Sequence, residues 1–358
     1  MNRILSNLAE RARQLGAGRS GRKWARLSAV GESVVAVWLD APATYWHTST
    51  TSSHRHGLLR GSPLPRTAFG PNSRAIEDNR GHLVAFAAHA GAALRLWKPL
   101  RSGLELLRTH VTGTGPGATI WCVDVRGERV LVALRDGTMQ LLDDSLCISR
   151  TWRTQYGIPH AAKIVADDLI AVATDSGVAL LDTEGRELER PLRFAPIIKD
   201  VAFQGRSLLL NNYNGRVWTT TPDWQLEERP DGSVLGVGSS SAWIISGTPS
   251  TMRCANWRCM NGRWDEDFHV NLSFESLGRP LAGIAEVAPE TVVLGFEHGL
   301  VLIDRTSDPA FIESRVFSES LAGFVGLADR RIAVALQNSD LLRVHYILPR
   351  GPGARISG

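Results

Sequence analysis

One unit of short strands returns through this chain about every 40 residues, and that repeat limits the fold more than any other feature. The clearest copy is Ile120–Asp143, IWCVDVRGERVLVALRDGTMQLLD. A first apolar strand ends in a turn at Arg126-Gly127. A β-branched strand follows, then a turn at Asp136-Gly137, then a third strand. An Asp-Gly or Asn-Gly pair between alternating strands is a strong hairpin signal, because both central residues of a two-residue type I′ loop take positive φ. The unit recurs at Lys163–Asp182, turning at Ser176-Gly177, and at Asp200–Thr220, turning at Asn214-Gly215. It recurs again at Gly283–Asp304, turning at His298-Gly299, and at Gly323–Tyr346, turning at Asn338-Ser339. Fainter copies are Ala25–His47, Ala75–Trp97 and Val234–Trp257. Gly137, Gly177, Gly215 and Gly299 are therefore read as structural turn residues.

That makes eight hairpin units, whose second strands begin near residues 34, 83, 130, 169, 208, 242, 291 and 331. These strands are apolar with few breaks, as in VVAVW, VLVAL, LIAVA and RIAVA. Strands covered on both faces have this character. Polar segments at Ser145–Thr154, Arg186–Arg193, Trp224–Arg229 and Phe311–Phe317 supply candidate fourth strands. A single sheet of this kind cannot bury both faces. Stacking such sheets in a ring buries them all and leaves no long open edge. The expected fold class is all-β, a β-propeller of seven or eight blades over residues 24–348. A strand from the N-terminal region is expected to complete the last unit.

The layout resembles WD-repeat proteins and their divergent propeller relatives. Arg95-Leu96-Trp97-Lys98 looks like the third strand of a WD repeat, with Lys where Asp normally follows Trp. Leu142-Asp143, Leu181-Asp182 and Ile303-Asp304 occupy the same place with an aliphatic residue instead of Trp. Gly81-His82 stands before a second strand rather than at the head of a repeat. The one Trp-Asp pair, Trp264-Asp265, is read as lying in an irregular stretch.

Residues 1–23 read differently from the rest. Ile4, Leu5, Leu8, Ala12 and Leu15 recur at near-helical spacing, so a short basic amphipathic helix is expected over 3–15, stopped by Gly16 and Gly18. The first 60 residues hold nine Lys and Arg against three acids, and the whole chain carries a formal +4. An excess so small is not a nucleic-acid footprint. No apolar run reaches the roughly 18 residues of a membrane helix. No secretory signal core is present, and Arg-rich, acid-poor character is also that of a mitochondrial presequence. A cytoplasmic setting is favoured over a mitochondrial one, and residues 349–358 are read as a tail. The cysteines, Cys122, Cys147, Cys254 and Cys259, are read as thiols, since Cys254 and Cys259 lack the spacing of a zinc pair.

No GxSxG, phosphate loop, HExxH or EF-hand pattern occurs. The acid pairs Asp143-Asp144 and Asp167-Asp168 fall at turns, where Asp is favoured for geometry. The reading is a non-enzymatic scaffold with one or more protein partners, no cofactor and no metal. Candidate partner-binding residues are Arg11, Arg13, Arg22 and Lys23, together with His54, Arg55 and His56 in the low-complexity stretch 48–72. Three rivals stand beside it: a substrate-receptor subunit of a ubiquitin-ligase-type complex, a mitochondrial assembly component, and an enzyme using the central channel. The last would draw on Asp124, Lys163, Lys199, Asp200 and Glu286, in or near first strands.

Overall fold

Each repeat folds into one sheet, because its strands are joined by turns too short to let them do anything but pair in order. The computed structural model describes the strands and most turns between residues 25 and 346. Outside the described residues lie 1–24, 39–43, 48–55, 64–72, 88–90, 193–197, 213–215, 230–232, 238–240, 307–309, 328–330, 337–341 and 347–358, with isolated positions in other turns. The described strands form eight four-stranded sheets, and neighbouring strands run antiparallel. The inner strands are Ala25–Val30, Ser73–Glu77, Ile120–Arg126, Pro159–Ala166, Ile198–Gln204, Ser233–Val237, Pro280–Ala288 and Leu321–Leu327. Ala25–Val30 lies against both Ser73–Glu77 and Leu321–Leu327, so the first sheet touches the second and the last.

The apolar second strands are explained by where their residues go. Val130, Val132 and Leu134 pack with Val84, Phe86, Leu94 and Leu96 of the preceding sheet. Leu131 and Ala133, between them in sequence, pack with Ile170, Val172 and Ala179 of the following sheet. Successive side chains of a strand point to opposite faces, so a sheet between two neighbours needs apolar residues at every position. The same alternation carries on through cores that join the fourth sheet to the fifth, the fifth to the sixth, the sixth to the seventh and the seventh to the eighth.

The outer strands expected from sequence are present at Ile148–Arg153, Glu187–Leu192, Leu226–Arg229 and Phe311–Val316. The last sheet is completed by His56–Leu58, which pairs with Leu342–Tyr346. Its neighbour Arg60–Pro63 returns to the first sheet and pairs with Thr44–His47. The stretch 48–72 therefore contains two strands that staple the last sheet to the first. Trp264-Asp265 also differs from expectation. It sits in the regular outer strand Arg263–Leu272, where the charged residues that made it look irregular lie on a solvated edge. The helix expected over 3–15 lies outside the described residues. Among those described there is no α-helix, only 3₁₀ turns at Pro116–Ala118 and Glu275–Leu277.

The turn chemistry is corrected in detail. Asp136 is not in the left-handed region; only Gly137 is, at φ +89°. Its N–H donates to Leu134 O at 3.0 Å, so Arg135 and Asp136 form a tight turn and Gly137 follows as the left-handed residue. Gly177, at φ +118°, already pairs with Thr174. In the seventh sheet the loop residues are Glu297 and His298, and Gly299 pairs with Phe296 outside the left-handed region. Gly215 lies outside the described residues. Among the described residues, the two-residue loop with both φ positive is Asn261-Gly262, at +53° and +75°, closing Met260 onto Arg263.

A side chain at Gly137 would be strained by its φ and would meet Gly157 O and Thr154 Cγ2, each at 3.3 Å. Gly137→Val is expected to cost about 1–3 kcal/mol in urea unfolding. An unchanged midpoint would show that this turn does not organise its sheet.

Candidate interaction face at the mouth of the ring

Six of the eight inner strands share a distortion that breaks their alternation of faces. Ile120 pairs with Leu134 and Cys122 with Ala133, leaving Trp121 as an extra residue. The same skip leaves out His160, Lys199, Leu235 and Ala322 in the fourth, fifth, sixth and eighth sheets. In the seventh sheet Pro280 pairs with Phe296 and Ile284 with Leu294, a wider skip at the same level. A β-bulge bends its strand and re-aims a side chain, and bulges gather at barrel rims and binding sites. Here six of them stand at one end of the ring, beside the turns between second and third strands.

Trp121 and His160 occupy adjacent bulges, and their rings meet edge to face with centroids 6.3 Å apart. His160 Nε2 lies 2.6 Å from Asp175 Oδ1, and Asp175 Oδ2 accepts the Ile158 N–H at 3.3 Å. The imidazole is 10% exposed and the carboxylate 49%. Asp175 thus holds the loop entering the fourth sheet and orients His160, while leaving an open carboxylate edge. Gly157, at φ +95°, passes so close that a Cβ there would sit 3.1 Å from Asp175 Oδ2. A related contact joins Gly117 to Asp136, and another joins Gly278 to Glu297.

No protein-family model matches this sequence, and no curated protein is similar to it in sequence. Solved structures do match. Sqt1 of Saccharomyces cerevisiae superposes with a TM-score of 0.63 at 8% identity, over 92% of this chain and 97% of that one. The WD40 domain of Toxoplasma gondii coronin gives 0.54 at 11% identity, over 78% and 81%. The β-propeller domain of Myceliophteria thermophila Swd1 gives 0.52 at 12% identity, over 82% and 100%. The fold is that of a divergent WD40-like β-propeller.

The propeller gives a physical role to the aspartates of the WD-like positions. Asp143 Oδ1 accepts the N–H groups of Ser145 and Cys147 at 2.9 and 2.8 Å. Asp182 Oδ1 accepts those of Glu184 and Arg186 at the same distances, and Asp304 Oδ1 that of Thr306 at 3.0 Å. Each carboxylate caps the turn into its outer strand, which short polar side chains do well. Asp144 also meets Arg80 of the preceding sheet. Asp265, Glu266 and Asp267 belong to arginine networks: Asp267 contacts Arg305 at 2.6 Å and Arg258 at 3.2 Å, and both arginines reach Glu290.

Of the candidate binding residues, Arg11, Arg13, Arg22, Lys23, His54 and Arg55 lie outside the described residues. His56 opens the strand that completes the last sheet, pairing with His345. Asp124 Oδ2 accepts the Ile164 N–H at 2.8 Å, tying two inner strands together. Lys163 neighbours that tie on the fourth inner strand. Lys199, Asp200 and Glu286 lie on inner strands, with side chains outside the described residues. Among the described residues no three His, Cys, Asp or Glu side chains converge as metal ligands would. All four cysteines are free thiols. Cys254 joins the core with the seventh sheet and Cys259 packs toward the fifth, so the two stand on opposite faces of one strand. Burial pushes the Cys254 thiol up to about 12. Trp121 and His160 were not singled out by sequence reasoning as binding residues; the bulge shows in sequence only as a break in alternation, with Ile120 and Val123, three apart, facing one core.

Proposed function

We propose that this chain is a non-enzymatic, eight-bladed propeller that binds a protein partner at the bulged mouth, centred on Trp121, His160 and Asp175. The observation that carries the reading is the repeated bulge, which sets side chains at one end of successive inner strands on a rigid frame. Partly exposed aromatic rings beside an open carboxylate supply the large, low-entropy anchors that dominate protein interfaces. The eight-bladed count is supported by the contact of the first sheet with the last. The structural likeness to WD40 domains supports the scaffold role, and Asp124, held by a backbone N–H, is occupied structurally rather than poised for acid–base work.

The test is affinity purification from the native source, comparing the wild-type chain with a Trp121→Ala/Asp175→Asn variant. Proteins that co-purify in stoichiometric amount with the wild type are expected to be lost from the variant, while its melting temperature stays within about 2 °C, a shift of order 1 kcal/mol for a domain of this size. The same partners retained at full amount by the folded variant would place binding elsewhere.

A further inference from the structure

We propose that this chain forms a two-fold dimer by pairing the outer strand Gly103–Val111 with the same strand of a second copy. This strand is the outermost of its sheet. Leu106, Leu107 and Val111 on it are 47%, 42% and 60% exposed. Among the described residues, the exposed large apolar ones of other outer strands, Ile148, Leu188, Leu226 and Val316, stand singly. Native edges are usually guarded by Lys, Pro or charge. Glu187–Leu192 carries Pro191 and Arg263–Leu272 carries three acids. Gly103–Val111 has no Pro and no Lys, and its two charges are of opposite sign, Glu105 and Arg108. Phe311–Val316 shares that pattern with Glu313 and Arg315, but of its described residues only Val316 is a large exposed apolar one.

The arrangement of those charges selects the partner. Glu105 pairs with Lys98, Leu106 with Trp97, Arg108 with Leu96 and Val111 with Ala93, so Leu107 is the extra residue of a bulge. Residues directly opposite share a face, and alternate residues of one strand share a face. Lys98 and Leu96 are two apart, which puts Glu105 and Arg108 on one face. Trp97 and Ala93 put Leu106 and Val111 on the other. In a regular strand Glu105 and Arg108, three apart, would point to opposite sides. The bulge makes Leu106 and Leu107 fill one position of the pleat, flanked by Glu105 and Arg108. Laid antiparallel on itself about that position, the strand sets Glu105 opposite Arg108 of the second copy, and Arg108 opposite its Glu105. The two-fold of an antiparallel pair passes through such a shared position. Leu106 and Leu107 then meet those of the second copy on the other face, where Thr109 separates them from Val111. An unrelated strand has no reason to carry this palindrome; a second copy carries it by identity.

Sedimentation velocity on the full chain at tens of micromolar tests the proposal. The wild type is expected to be a dimer. Arg108→Glu and Glu105→Arg each create two like-charge contacts across the axis and are expected to weaken the dimer about tenfold or more. An equimolar mixture of these two variants restores both contacts and is expected to recover dimer near wild-type strength. Recovery by mixing is something that misfolded variants would not show. A monomeric wild type, a dimer indifferent to both reversals, or a mixture that stays monomeric overturns the proposal.

Discussion

Trp264→Ala is expected to lower the unfolding free energy by about 3–5 kcal/mol, the range for deleting a large aromatic side chain from a core. Trp264 is fully buried. It fills the seam between the fifth and sixth sheets with Ala202, Leu209, Val217 and Trp257. Small residues, Ala202 and Ala242, line much of that seam, and short side chains collapse poorly into a vacated volume, which holds the cost at the high end. The site is also tied to its surroundings. Arg229 donates to Trp264 O at 3.1 Å, and its guanidinium stands 5.0 Å from the centre of the Trp257 ring. The indole N–H of Trp264 has no acceptor among the described residues. Trp264→Phe therefore removes an unsatisfied donor along with volume, and its cost is expected to be less than half that of alanine. Urea unfolding of the two variants checks the order. A phenylalanine variant as unstable as the alanine one would show that the indole N–H is bonded after all.

The second strands were readable because their apolar runs are forced by burial on two faces, so Arg129–Leu134 and Leu169–Thr174 fall where VLVAL and LIAVA stand. The outer strand Gly103–Val111 was not, since its bulge at Leu106 and Leu107 breaks the alternation and its apolar residues stand exposed. The sixth sheet was blurred for a different reason. Its strands Thr251–Met260 and Arg263–Leu272 are the longest described, and their arginines and acids pair across the sheet rather than alternate with apolar residues. Asn261-Gly262 passed unnoticed between them although it is the same hairpin dipeptide as Asn214-Gly215. The mouth was hidden most completely. Trp121 and His160 are set by a one-residue slip in pairing, whose only trace in the sequence is one break in the alternation of each short strand.

Gly185→Leu is expected to cost about 2–5 kcal/mol, from a left-handed backbone and an occupied site. The turn Asp182–Arg186 puts Gly185 at φ +80°, with its N–H donating to Asp182 O at 3.0 Å. The equivalent residues of the third and fifth sheets are Leu146, at φ +57°, and Trp224, at φ +62°, each with the same 3.0 Å bond to the residue three before. Their side chains are used for packing. Leu146 is buried in the seam with the second sheet, and Trp224 stacks near Phe203 under the Arg206 guanidinium. In the fourth sheet the slot is filled from outside: Trp152, on the outer strand of the third sheet, lies where a Gly185 Cβ would come within 2.4 Å of its ring. One position is thus packed by the turn's own residue in two sheets and by a neighbour's tryptophan in the third. If that is the physical logic, Trp152→Ala should open the slot. The double variant Gly185→Leu/Trp152→Ala is then expected to be more stable than the sum of the single changes predicts, by about 1–3 kcal/mol of coupling. The four-corner cycle is measured by urea unfolding. Strict additivity would mean that the left-handed backbone alone demands glycine at this turn, and that Trp152 lies over it without depending on it.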